Sequence, residues 1–257
     1  MFNITGEKKD FIGEDGLLHC AKCGTPKQFR LLGSTLPVMC SCEEKRYNDE
    51  QKALADMQQR IRIDRMRQVC FDEPHLLGWT FSHDDGGGSL MQTARNFAER
   101  FADMPKGLLL YGGIGCGKSF AAASICNYLL DSGISCRMLT TAALIAAYSS
   151  AVDKTAFLDD LNRAELLVLD DLGAERSTDY AKEILFEAVD VRYRSGRRLI
   201  VTTNFTAEQI KDKGSRTMSR ILDMCHPVQC TGADRRRAAA VADAATMNEL
   251  LGIGGKP

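Results

Sequence analysis

The eight residues Gly112 to Ser119, GGIGCGKS, follow directly on the apolar run Leu108, Leu109 and Leu110 and satisfy the pattern G-x-x-x-x-G-K-[ST] at every required position. No other segment restricts the fold as strongly. Such a loop works only where a buried strand delivers it and a helix leaves it, because its backbone N–H groups must converge on phosphate oxygens at the positive end of a helix. The flanks supply both, since KGLLLY (106–111) reads as a strand and Ser119 to Leu130, SFAAASICNYLL, as an alanine-rich helix. Gly112 and Gly117 allow the loop to turn, Lys118 meets the β and γ charges, and Ser119 offers a hydroxyl to Mg2+. Gly113, Ile114, Gly115, Cys116 and Phe120 complete the predicted contact with a nucleoside triphosphate.

Two further strands carry chemistry at their ends. Leu166-Leu167-Val168-Leu169 is wholly apolar and stops at Asp170-Asp171, as a parallel strand buried on both faces does when it delivers carboxylates to the C-terminal edge of a sheet. Asp170 is expected to hold magnesium through water, and Asp171 to polarise the attacking water. Arg198 to Thr203, RLIVTT, reads as another strand and ends at Asn204, a neutral polar group for the γ-phosphate. A strand over 133–139 and helices over 89–101 and 141–150 fill the spaces between. The alternation predicts an α/β fold with a doubly wound parallel sheet.

At 257 residues the chain has room for a second, smaller module, and four of its ten cysteines mark one. Cys20-Ala-Lys-Cys23 and Cys40-Ser-Cys42 resemble a zinc ribbon, in which four thiolates close a tetrahedron around a structural Zn2+. His19 stands in reserve should the shorter second pair fail to close, and free thiols in a polar loop are the alternative. Cys70, Cys126, Cys136, Cys225 and Cys230 lie in apolar surroundings and read as core thiols, and Cys116 as a small residue tolerated in the loop. From Glu43 to about Val69 a long polar helix is expected, with Arg60, Arg62, Arg65 and Arg67 crowding its second half against Asp64 alone. That half is either a solvated surface or a basic face for nucleic acid or an acidic partner. The predicted organisation is a cysteine-rich zinc module over 1–45, a helical linker over 46–85, and an ATPase domain over 86–257.

Net charge is −1, so no global field draws the chain to nucleic acid or membrane. No apolar run approaches the ~20 residues needed to span a bilayer, and the N-terminus lacks a signal-peptide core. The expectation is a soluble, cytoplasmic chain with no membrane partner.

Phosphate loop, strand ending Asp-Asp and strand ending Thr-Thr-Asn together look like an AAA+ P-loop ATPase. LLVLDDLGAE (166–175), VRYRSGRRLIVTTN (191–204), SRTMSRILD (215–223) and GADRRR (232–237) resemble the bacterial and phage replicative helicase loaders of the DnaC/DnaI type, over about residues 15 to 240. The cysteine module is similar to the zinc-bearing amino-terminal region of some members. The resemblance implies ATP as the nucleotide, a DnaB-type helicase hexamer and single-stranded DNA as partners, and homo-oligomers in the ATP-bound state. It implies that Lys118, Asp171, Asn204 and Arg220 are catalytic: Asn204 as sensor 1, and Arg220 as the arginine finger reaching a neighbour's γ-phosphate, with Arg216 in reserve. Arg236 matches sensor 2, beside Arg235 and Arg237 as alternatives. Many AAA+ proteins carry glutamate where Asp171 stands, and the shorter side chain implies a slow, switch-like ATPase stimulated by DNA or partner. For single-stranded DNA, the turn Ser177-Thr178-Asp179-Tyr180 offers hydroxyls to phosphates and a tyrosine to a base, against the alternative that Tyr180 packs at a helix start. The rival reading is an IstB-type transposition helper acting with a transposase on duplex DNA. A last helix is expected over 238–251.

Overall fold

In the computed structural model the described residues are 9–84, 88–174, 178–212 and 215–232, with 247, 250 and 251. The chain divides into two compact units, Met1–Arg62 and Ile63–Pro257.

The first unit is built from two short antiparallel pairs, β1 (Phe11–Ile12) with β2 (Leu18–His19) and β3 (Gln28–Leu31) with β4 (Ser34–Pro37). Helix α1 (Ser41–Cys70) starts here, two residues earlier than the sequence suggested, with Glu43 and Glu44 in its first turn, where the helix dipole favours carboxylates. Among the described residues of this unit only Cys20 and Cys40 are buried. Two thiols do not make an apolar core.

The boundary between units falls inside α1, not at residue 85 as the predicted linker had it. The reason is packing. Cys70 at the end of α1, Phe71, Leu76 and Phe81 are all buried in the core of the second unit, and Phe71 forms a parallel bridge with Met138. Residues 63–84, including the 3-10 turns Pro74–Gly78 and Phe81–His83, therefore belong to the second unit.

That unit continues through α2 (Ser89–Glu99), β5 (Gly107–Gly112), α3 (Lys118–Asp131), β6 (Cys136–Thr140), α4 (Thr141–Ser150), α5 (Lys154–Arg163) and β7 (Leu166–Leu172). Then come α6 (Asp179–Ser195), β8 (Arg198–Thr203), α7 (Ala207–Asp212), α8 (Arg216–Met224) and β9 (Cys225–Cys230). The sheet order is β6-β7-β8-β5-β9, and every neighbouring pair is parallel. Alternate residues of each central strand enter opposite clusters: Leu108, Leu110, Leu166, Val168 and Ile200 pack with α2 and α3, whereas Leu109, Leu167, Leu169, Leu199 and Val201 pack with α4, α6 and α8. The sheet is thus doubly wound, as expected. Strand β6 starts at Cys136 in place of Gly133, because the N–H groups of Gly133 and Ile134 are spent closing α3 on the carbonyls of Leu130 and Leu129. Helix α5 and strand β9 were not foreseen. Arg235, Arg236, Arg237 and all but the end of the predicted C-terminal helix lie outside the described residues. Among the described residues no helix is long and apolar enough to cross a membrane.

Candidate functional site

Strands β5, β7 and β8 end side by side, and their last residues assemble one hydrogen-bonded network with the start of α3. Lys118 is buried, and its ammonium donates to Gly112 O (2.9 Å), Gly113 O (2.7 Å) and Asn204 Oδ1 (2.9 Å). Cys116 Sγ is a fourth, longer acceptor at 3.6 Å, and none of the four is a carboxylate that would neutralise the charge. Asn204 turns its other end outward, Nδ2 donating to Asp171 Oδ1 at 2.9 Å. One amide therefore joins the phosphate-loop lysine to the expected base.

Beside it a second set forms. Ser119 Oγ donates to Asp170 Oδ1 at 2.9 Å, and Thr202 Oγ1 donates to the same oxygen at 2.6 Å. The Thr202 hydroxyl also accepts from Asp171 N–H at 2.9 Å, so it touches both aspartate residues. Asp171 has φ 59°, in the left-handed region, where the β7–β8 register shifts between Leu169 and Leu172. Aspartate is one of the few residue types that enters this region at modest cost. Thr141 on α4 adds a bond from its hydroxyl to Asp171 O at 3.1 Å.

Gly112 has a steric reason to open the motif: its φ is +142°, and a Cβ there would lie 2.3 Å from Cys230 O on β9. Cys116 is buried with Sγ donating to Gly113 O at 3.0 Å, as a small residue folded into its own loop.

These residues open on a cavity of about 720 Å³. Ile114, Gly115, Gly117, Lys118, Ser119, Asp170, Asp171, Thr202 and Asn204 line it together with a stretch that sequence reasoning passed over: Asp72, Glu73, His75, Leu76, Trp79 and His83. Trp79, the single tryptophan of the chain, packs on Phe120 of α3 with ring centroids 5.7 Å apart, and His75 meets Trp79 edge-on at 5.2 Å. The phosphate-loop end of the cavity is polar, with Lys118 beside two aspartates, whereas this wall adds the rings of His75, Trp79 and His83 next to Asp72 and Glu73, and Trp79 offers a flat base a face. A lone tryptophan in HLLGW, just after a helix break, was the available signal.

Arg220 on α8 is not part of its own chain's cavity lining. Its guanidinium pairs with Asp190 Oδ1 at 2.6 Å and lies over the rings of Phe186 (4.5 Å) and Tyr193 (5.5 Å), all on α6. Arg216 stands exposed at the start of the same helix. Of the turn expected to face DNA, Ser177 lies outside the described residues, the Thr178 hydroxyl caps α6 by accepting from Ala181 N–H, and Tyr180 stands in the first turn of α6, 52% exposed.

In the first unit, Cys20, Cys23, Cys40 and Cys42 offer four sulfurs that all lie within 4.8 Å of one another. Cys42 Sγ is 3.3 Å from Cys40 and 3.5 Å from Cys20. The short Cys-x-Cys spacing closes because Cys42 sits in the first turn of α1, which folds it back beside Cys40. Hydrogen bonds from the Thr25 hydroxyl and nearby backbone N–H groups hold the Cys23 thiol down to about 5, whereas the sulfurs of Cys40 and Cys20 push Cys42 up to about 12. Backbone hydrogen bonds pull Cys20 down as well and burial pushes Cys40 up, so two thiolates are favoured and two opposed, a conflict that a divalent cation removes. His19 is engaged elsewhere, Nδ1 with Gly24 O (2.9 Å) and Nε2 with the Asp15 carboxylate (3.0 Å), so the reserve ligand is not part of the cluster.

With this geometry in hand, comparison with known proteins is informative. Residues 52–241 match the family described as IstB-like ATP binding protein. The replicative helicase loader DnaC of Escherichia coli (strain K12) is 32% identical over 143 residues, covering 53% of this chain and 58% of DnaC. The replicative helicase loader DnaI of Bacillus subtilis (strain 168) is 26% identical over 219 residues, covering 76% of this chain and 67% of DnaI. A crystal structure of DnaI matches with TM-score 0.56 and 26% identity over 66% of this chain and 99% of that one. The chain therefore spans less than two thirds of the DnaC relative it matches. The α/β fold of the AAA+ kind and the resemblance to DnaC/DnaI-type loaders, both expected from the sequence, are found again here.

Proposed function

The chain belongs to the IstB-like ATP binding proteins, and from that premise we propose that it is a slow ATPase that binds a hexameric replicative DNA helicase and delivers it onto single-stranded DNA in the cytoplasm. One observation carries the ATPase reading: Ser119 and Asp170 meet through a hydrogen bond, while Lys118, Asn204 and Asp171 form a continuous chain beside them. The groups that must bind a metal–triphosphate and activate water are thus already adjacent.

In this reading ATP places its phosphates in the loop from Gly112 to Ser119, where Lys118 exchanges its carbonyl partners for the β and γ oxygens. Its base lies against Trp79 and Phe120. Ser119 and Asp170 hold magnesium, which when bound neutralises charge accumulating on the phosphates. Thr202 keeps Asp170 in place, Asp171 takes the proton of the attacking water, and Asn204 orients that water against the γ-phosphate. Arg220, held by Asp190 away from its own cavity, serves a neighbouring copy in an ATP-bound homo-oligomer, with Arg236 contacting the nucleotide in cis. The four cysteines hold a structural zinc; the absence of other buried residues among those described in the first unit supports this, since a module with so small a core needs a metal. Loader action is supported by the relatives, which are replicative helicase loaders, and in this reading hydrolysis is the step that releases the helicase.

The test is co-sizing of the full chain with the replicative helicase of the same host or phage, with ATP and single-stranded DNA present or absent. The expected result is a complex that forms through residues 1–70, dissolves on hydrolysis, and persists in Asp171→Asn. No helicase complex, with duplex DNA stimulating the ATPase instead, would move the assignment to a transposition helper. In parallel, Lys118→Ala is expected to abolish ATP binding, read by Trp79 emission, whereas Arg220→Ala retains binding and loses hydrolysis. Equal loss of binding in both would sink the trans role of Arg220.

A further inference from the structure

The aromatic wall of the cavity has little regular structure of its own, so something must fix its distance and orientation relative to the phosphate loop. Apolar burial of Leu76 and Phe81 sets depth but not direction. Direction comes from α3. Asn127 lies on the helix that begins at Lys118, and it is 5% exposed. Its side-chain amide donates both hydrogens into the wall, to Leu76 O and to Trp79 O, each at 2.9 Å. Phe120 packs on Trp79 and Tyr128 on Phe81 (6.1 Å), so three side chains of one helix grip the same stretch. Of these, only the amide is directional; Leu76 O also accepts from Trp79 N–H at 3.1 Å, so the carbonyl that relies on the amide is Trp79 O, and a part-buried carbonyl deprived of its donor is costly.

We propose that Asn127 is a positioning residue for nucleobase recognition: it registers the Leu76–Trp79 turn against the helix whose first turn holds the phosphates, so that one rigid body measures both ends of a purine nucleoside triphosphate. This rests on the reading of the cavity as a nucleotide site. It adds a residue that touches neither phosphates nor metal and that no motif contains.

The test separates the two ends of the ligand. Calorimetric titrations of the full chain with ATP and with inorganic triphosphate, which has the phosphates and no base, are run on the wild type, Asn127→Leu and Asn127→Ser. Asn127→Leu keeps the approximate shape and removes both donors. Its affinity for ATP is expected to fall about tenfold, the equivalent of one to two neutral hydrogen bonds. Its affinity for triphosphate is expected to stay unchanged, and Trp79 emission in the free protein to shift to the red. Asn127→Ser, retaining one hydroxyl donor, falls between and carries the same test if the leucine variant does not fold. Unchanged ATP affinity, or ATP and triphosphate weakening together, would overturn the proposal. Failure of the wild type to bind either ligand would instead overturn the nucleotide reading beneath it.

Discussion

Thr202 supports two consecutive aspartates with one hydroxyl, giving a proton to Asp170 and taking a hydrogen bond from the Asp171 backbone. Thr202→Val keeps the shape, leaves Asp170 Oδ1 with the Ser119 hydroxyl alone and strands the Asp171 N–H, so it should cost about 1–3 kcal/mol of stability, measured by denaturant unfolding. ATP turnover should fall by at least about tenfold, the equivalent of about 1.4 kcal/mol in the barrier, and Thr202→Ser should restore most of both. Asp171→Asn is expected to behave differently. Asparagine also tolerates a left-handed backbone, so thermal stability and ATP binding should be kept while single-turnover hydrolysis is lost. Lys118, Ser119, Asp170, Asp171 and Asn204 were legible from the sequence, because each is tied to a strand end or a loop of fixed spacing. Thr202, Asn127 and Trp79 were not. Their roles depend on which carbonyl or carboxylate lies across from them in space, and linear spacing holds no record of that.

Elements were legible where apolar runs were long. Strands β5, β7 and β8 declared themselves through LLL, LLVL and LIV, whereas β9 reads CHPVQC and carries a proline. It is an edge strand beside β5, a place where a residue without an N–H is tolerated. The basic stretch VRYRSGRR misleads in another way: Arg192 within it is 1% exposed, with its guanidinium donating to the carbonyls of Asn162, Ala164, Glu165 and Arg198. Burial pulls its pKa down to about 9, and its role is to tie α6 to the start of β7 and β8. The pairing of β5 with β8 depends on a residue outside any motif. A Cβ on Gly107 would lie 1.7 Å from Leu199 O, so backbone must move to admit it. Gly107→Ala is expected to destabilise by about 3 kcal/mol or more, seen as a lower urea midpoint with an unchanged m-value.

At the scale of the whole molecule the two units are built differently, one on a doubly wound sheet with apolar clusters on both faces and the other, among the described residues, on two short hairpins and a cluster of four cysteines without an apolar core. Metal removal should therefore be selective. A strong chelator under reducing conditions is expected to release about one zinc per chain, the number a four-thiolate site takes. Amide-exchange protection should then be lost over residues 9–62, while ATP binding by the second unit is retained; loss of protection in both units at once would refute the separation. The division into two units also lay partly beyond sequence reasoning, because α1 reads as one polar helix and nothing in its composition announces that Cys70 and Phe71 dive into a core. That plunge has a mechanical meaning. The chain leaves α1 at Cys70 and becomes, within a few residues, one wall of the cavity. A protein that gripped the end of this helix would pull on the lip of the cavity, and by thermodynamic reciprocity a ligand bound there would pull back on the grip. The same stretch of polypeptide is then a tendon between whatever is held outside and whatever is bound within.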